Sequence, residues 1–357
     1  MRLLDLLHRW LGGTIGLLLA VLGVSGALLA HKDIWTGVTG AQDAQRQDTA
    51  TLAAAAERLM GDAEARPRSI VFASENFGLH RLSYAGEAGA YADQAGEVVT
   101  RWASQGERPE VWLFDLHHHL FYVDAGEMVA GVVGLAGLGF VITGVILWWP
   151  LRRSYEFRLV PKRLSRFPIL RHHRDWGVVL APVLALSLIT GATMVFRPVA
   201  NLVLGPGADA EITASLAPPP PRKAELAADL DWAGMIRTAR QLYPTAEVRI
   251  LSLPREGNGL ISLRLRQQAE WLPNGRTTLW FAADTGELAH RRDALTLAPR
   301  AQAYNALYPL HAAKIGGLPY RLLMTLSGLT LGLFGTLTVW TFWFARKPRR
   351  RREPRPA

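Results

Sequence analysis

Imidazole is the side chain best suited to chemistry in this sequence, and its placement is uneven. Of ten histidines, eight (His8, His31, His117, His118, His119, His172, His173 and His311) fall near the ends of long apolar blocks, and only His80 and His290 lie elsewhere. A single histidine at such a place needs no role beyond hydrogen bonding to lipid headgroups. Eight of ten, placed symmetrically, point to ligation. Two facing imidazoles on neighbouring helices can hold one iron axially, as histidines hold haem. The pairs expected are His8 with His173 and His117 with His311, each at equivalent places in the two halves of the chain. His172, His118 and His119 are reserves: neighbours on a helix are about 100° apart, so only one of each cluster faces a given partner. His31 is a further reserve, for ligation, substrate contact or proton transfer. Zinc competes, because His31, His117, His118, His119 and His311 would supply three ligands, but the inner pair has only His172 nearby and zinc asks for three or four.

The elements that must position these residues are legible from length and hydropathy. A bilayer core of about 30 Å needs roughly 20 apolar residues of helix. Four stretches of the 357-residue chain meet this, at 11–30, 126–149, 177–196 and 322–344. A secretory signal peptide is the alternative for the first, but that block is too long and its Ala27–Ala30 end fits a cleavage site poorly. The absence of cysteine excludes disulfides, thiolate zinc, cysteine-bound iron–sulfur clusters and covalent haem attachment. Any haem is therefore non-covalent, two haem b in this reading, with one near each membrane face.

The net charge of +10 suggests nucleic acid only until it is mapped. Residues 1–10, 150–176 and 345–357 hold 17 of the 40 Lys and Arg but 4 of the 30 Asp and Glu. Cytoplasmic flanks carry such an excess, so both termini and the 150–176 loop are expected inside and no nucleic acid is expected as a partner. The Arg346–Arg352 run reads as a stop and a headgroup anchor in the lipid bilayer.

The segments then run as follows: 1–31, a helix with a cytoplasmic N-terminus; 32–125, a first outer domain; 126–149, a second span; 150–176, a basic inner loop; 177–196, a third span; 197–321, a second outer domain; 322–344, a fourth span; and 345–357, a basic tail. Each outer domain reads as a small α+β unit. A helix is expected around 50–60, with strands near 69–73, 78–84 and 89–91. The second domain opens on Pro218–Pro221, a stiff linker. It continues as a helix over 232–243 and strands at 247–253, 259–266 and 277–282, and Asn274-Gly275 is a hairpin signal. The halves repeat. His8-Arg9 and Gly12 match His173-Arg174 and Gly177, Ser25-Gly26 matches Thr190-Gly191, Leu116-His117 matches Leu310-His311, and Asp93–Val98 echoes Asp284–Leu288. The fold class is an α-helical integral membrane protein, with four transmembrane helices in two parallel repeats. Gly131, Gly134, Gly137 and Gly139 lie inside a span with no preceding strand, so they read as helix packing rather than a nucleotide loop.

The His8-Arg9-Trp10-Leu11-Gly12 start, Ser25-Gly26, Leu116-His117 with Leu120, Thr143-Gly144 before Trp148, and Leu310-His311 resemble the PepSY-associated transmembrane helix family of bacterial inner-membrane proteins. The Asp-Gly-Glu strand ends near Asp93 and Asp284 are similar to those of PepSY domains. The resemblance covers nearly the whole chain. It implies two PepSY-like periplasmic domains, two b-type haems and reduction of a periplasmic ferric siderophore or other ferric chelate, fed by a cytoplasmic or membrane electron donor. A ferric-chelate reductase of this kind needs no general acid or nucleophile, so no catalytic side chain is expected. The extra His118, His119 and His172 depart from the simplest motif. One rival is a non-enzymatic, membrane-anchored PepSY module that binds or inhibits a periplasmic partner. A transporter ranks behind it, because the spans show little midplane charge or helix breaking beyond Pro182.

Overall fold

In a computed structural model, residues 2–160, 163 and 165–344 are described. The basic tail at 345–357 and Lys162 of the basic loop lie outside them. The described chain divides into two compact units, a helical one (residues 1–30, 114–195 and 311 onward) and a sheet unit (31–113 and 196–310).

Among the described residues, four helices are long and apolar enough to cross a membrane: Arg2–Leu29, Val123–Ser154 including a 3₁₀ end, Arg166–Val195 and Gly317–Trp343. Each begins before the expected apolar block, because polar first turns also join the helix. The first and fourth helices make the closest approach. A Cβ on Gly23 would lie 2.6 Å from the Gly328 carbonyl oxygen, and one on Gly335 would collide with that of Gly16. Lipid tails are as apolar as leucine, so such helices associate through close backbone packing at small residues. The second and third helices pack through Val133, Leu184 and Leu188, with Leu19 of the first helix joining their core. Gly137 admits the Leu188 and Leu19 side chains, which would stand 2.9 and 3.0 Å from a Cβ there.

His117 and His311 were expected at the starts of spanning helices. Instead they close short helices of their own, Pro109–His119 and Leu307–His311, ahead of spans that start at Val123 and Gly317. The breaks are backbone-driven. Leu120, Phe121 and Val123 all have positive φ (47°, 64° and 40°), as does Ala313 (52°) before Gly316 and Gly317. Left-handed residues cannot continue a right-handed helix.

The two outer domains expected from the sequence are halves of a single antiparallel sheet. Its strands are β1 (Ser69–Val71), β2 (His80–Ser83), β3 (Gly89–Ala92), β4 (Val98–Trp102), β5 (Glu247–Ser252), β6 (Leu260–Arg266), β7 (Thr277–Ala282) and β8 (Leu288–Arg292). The order β4-β3-β2-β1-β5-β6-β7-β8 joins two meanders at the centre, where Ile70 of β1 faces Leu251 of β5. Strands β4 and β8 carry weak alternation and escape a reading by pattern. The Asp93 and Asp284 repeats form the β3–β4 and β7–β8 hairpins, each turning on a glycine of positive φ, Gly96 and Gly286. Asn274-Gly275 does lie in the β6–β7 hairpin, at the end of a connection longer than two residues. Helices Thr49–Gly61 and Trp232–Leu242 begin at Asp48 and Asp231, whose carboxylates accept the Thr51 and Gly234 amides and satisfy first-turn donors. Their apolar faces (Leu52, Met60, Trp232, Ile236) meet Ile70, Leu82, Leu251 and Phe281 in one core. Single Leu, Ile or Met side chains so buried contribute about 1.5–3 kcal/mol each.

Candidate functional site: two histidine pairs in the helical unit

The helical unit brings both expected pairs together. The His8 and His173 rings lie 6.3 Å apart, centroid to centroid, and the His117 and His311 rings 6.1 Å. His8 and Ser25 are seventeen residues apart on the first helix, as His173 and Thr190 are on the third. That separation is about 26 Å at 1.5 Å per residue. Ser25 meets His117 and Thr190 meets His311, so the pairs occupy opposite ends of the unit.

The hydrogen bonds decide which nitrogen of each ring is bare. The Thr143 hydroxyl donates to the Gly139 carbonyl (2.7 Å), so its lone pair receives the His8 Nδ1–H (2.8 Å). The Ser25 hydroxyl likewise donates to Val21 (2.7 Å) and accepts from His117 Nδ1 (2.9 Å). His311 Nδ1 donates to the Ser187 carbonyl (3.0 Å), with Thr190 Oγ1 at 3.3 Å. A carbonyl only accepts, so Nδ1 must carry the proton. In three of the four rings Nε2 is therefore left as an unprotonated ligand atom. Holding one imidazole nitrogen in this way fixes the tautomer and orientation of a ligating histidine.

A glycine follows each of three hydroxyls. A Cβ on Gly26 would stand 2.9 Å from His117 Cε1, and one on Gly191 would stand 2.9 Å from His311 Cε1. The same Thr-Gly step recurs at Thr143-Gly144, where the clearance to His8 Cε1 is 3.7 Å. The fourth ring differs. His173 Nδ1 is buried without a hydrogen-bond partner, and the ring packs on Phe334 with centroids 4.3 Å apart. Five residues before Trp343 stands Thr338, as Thr143 stands five before Trp148, but the Thr338 methyl faces Gly12.

A cavity of about 530 Å³ opens beside the first pair, walled by His8, His173, Phe140, Leu184, Trp148 and Phe334, with Arg2 and Arg174 also in its lining. Apolar cavities of roughly 300–1,000 Å³ with a few placed polar groups are typical of cofactor sites. Trp148 Nε1 is a second buried polar atom there with no partner.

The chain matches the family described as the PepSY-associated TM region over residues 6–346. It belongs to that family. This member of the PepSY-associated TM region family is thus a membrane protein of four apolar helices with an antiparallel sheet unit. No curated protein matches it by sequence.

The residues present fit haem. Each pair brings two imidazoles from different helices together, at centroid separations of 6.3 and 6.1 Å, a donor set that would hold a haem iron, and an apolar cavity opens beside the first. The remaining histidines of this family member are engaged otherwise. His172 turns to the basic loop and donates Nε2–H to the Leu159 carbonyl (3.0 Å). His118 and His119 face each other and Asp115. His31 follows the first helix and lies in the sheet unit. The sequence marked Ser25 and Thr190 as repeat positions and Thr143 as part of the family resemblance, but did not mark their role as acceptors. The signal available was a hydroxyl followed by glycine, seventeen residues after His8 and after His173.

Proposed function

We propose that this protein carries electrons across the bacterial inner membrane through two non-covalent haem b groups, held by His8 with His173 and by His117 with His311. In this reading it reduces a ferric siderophore or similar ferric chelate on the periplasmic side. The observation that carries the proposal is the set of acceptors (Thr143, Ser25, and Ser187 with Thr190) that leave Nε2 bare in three rings, within two pairs whose centroids lie 6.3 and 6.1 Å apart. When bound, haem b would supply a one-electron iron couple near each membrane face. Residues of the protein would hold the iron through imidazole nitrogens, with Thr143, Ser25 and Ser187 fixing the tautomers of three of the four rings and Phe140, Phe334 and Leu184 supplying apolar walls at the first pair. Arg2 lines the first cavity and would meet a carboxylate at a haem edge, while Arg174 there is already ion-paired with Asp175 and Asp5 adds a negative charge to the lining. Reduction would loosen a siderophore's hold, because its hard oxygen donors prefer Fe(III). The proposal also takes the four helices as two parallel repeats, both termini as cytoplasmic, the sheet unit as periplasmic, and an electron donor in the cytoplasm or membrane. The basic excess at 1–10 and 150–176 supports that orientation.

The test is a pyridine haemochrome count on detergent-purified protein, with oxidised and dithionite-reduced spectra. Two haem b per chain are expected, falling to one in His8→Ala and in His311→Ala. A colourless protein from haem-replete cells would sink the proposal in favour of a partner-binding PepSY module.

A further inference from the structure

We propose a second, non-haem metal site at the Pro109–His119 to Val123–Trp148 junction: a divalent first-row transition-metal ion held by His118 Nδ1, His119 Nε2 and a Glu127 carboxylate oxygen. One ligand atom from each of His118, His119 and Glu127 lies within 4.8 Å of the other two. His118 Nδ1 and His119 Nε2 face each other at 3.3 Å. That is long for a nitrogen hydrogen bond. It equals the edge of a tetrahedron of about 3.3 Å that two nitrogens form at roughly 2.0–2.1 Å from one zinc-sized ion. His119 Nδ1 donates to Asp115 Oδ1 at 2.8 Å, so Nε2 of that ring is the bare nitrogen. A carboxylate behind a ligating histidine is the usual support of a metal site.

The backbone is shaped to bring Glu127 to the histidines. Three residues of the junction take positive φ. Gly126 lies so close beneath the helix end that any Cβ would collide with the His119 carbonyl oxygen. Local pairing alone would need only His119 on Asp115 and His118 stacked on Phe114, with centroids 5.1 Å apart. It would not need two ring nitrogens facing each other beside a carboxylate. Two histidines and one carboxylate leave coordination positions open, as in catalytic zinc and non-haem iron(II) sites. His117 points instead to Ser25 and His311, so the site is separate from the His117–His311 pair and does not depend on haem being there.

The test uses full-length, tag-free protein in detergent, stripped with chelator and titrated with Zn(II) by calorimetry, with metal counted by mass spectrometry and haem counted in parallel. One Zn(II) per chain is expected. The wild-type affinity should fall about 10- to 100-fold in Asp115→Asn, and binding should be lost in His119→Gln and in Glu127→Gln. Absence of saturable Zn(II) binding by the wild type overturns the proposal whatever the variants do. So does undiminished binding in a folded His118→Gln/His119→Gln protein. Loss of a haem with the zinc in His119→Gln would make these residues haem ligands and overturn it too.

Discussion

At the scale of single residues, the hydroxyls behind the imidazoles are the most informative side chains. Ser25→Ala removes the hydroxyl that accepts from the buried His117 Nδ1–H and leaves the Leu22 carbonyl as the ring's partner. Losing one such hydrogen bond costs about 0.5–1.5 kcal/mol, so under the proposed function the variant is expected to hold the haem of the His117–His311 pair more weakly and at a shifted midpoint potential. Ser25→Thr should restore both, and redox titration with haem counting checks it. His80, outside the spans, makes a second case. Its Nδ1 accepts the Ala73 amide at 2.9 Å, and burial, opposed in part by Asp93, lowers its pKa from 6.5 to about 4. The folded pKa lies below the unfolded one, so the unfolded chain takes up the proton first. Stability is full above about pH 6.5 and declines as pH falls toward 4, by up to about 3 kcal/mol. Thermal unfolding between pH 7 and pH 4.5 should show this slope in the wild type and a flatter one in His80→Gln.

At the scale of elements, glycines set how close helices and rings come. Gly26→Ala places a methyl 2.9 Å from His117 Cε1. The ring must move, and if the proposed haems are bound, one per chain is the expected loss while the His8–His173 pair keeps its own. Gly335→Leu acts differently. Its Cβ meets the Gly16 backbone, which cannot rotate away, so the first and fourth helices must part. Lower thermal stability in detergent is expected and, under the proposed function, the loss of both haems, because His8 precedes Gly16 on the first of the two helices that part and His311 lies just ahead of the other, which carries Gly335. Comparing haem stoichiometry in the two variants separates a local clash from loss of helix packing.

At the scale of the molecule, two units share one chain, and each is closed by residues from both halves of the sequence. In the sheet unit the closure is β1 on β5, with Ile70 and Leu251 both fully buried. Leu251→Ala should lose about 2–5 kcal/mol. The two meanders should still melt together, since they share one core. Two separate calorimetric transitions for the sheet unit would show that the halves are independent domains. In the helical unit, His117 reaches Ser25 from 92 residues away and His311 reaches Thr190 from 121 away, so neither pair can form from one half of the chain.

The sequence alone determined the four spans, because a bilayer demands about 20 apolar residues whatever surrounds them. It also marked which histidines come together, because the matching His8-Arg9 and His173-Arg174 steps, and Leu116-His117 and Leu310-His311, stand out in it. The helices at 49–61 and 232–242 and six of the eight strands were legible from periodicity, which is a local signal. Only the tertiary structure decided that the two outer segments form one sheet: the edges of β1 and β5 are free in sequence terms, and pairing depends on which edges meet. It alone decided that His117 and His311 close helices of their own, since positive φ at Leu120, Phe121, Val123 and Ala313 leaves no mark in residues that ordinarily avoid it. It also decided the tautomers, because whether a hydroxyl faces an imidazole depends on the rotation of one helix against another, which no single helix encodes.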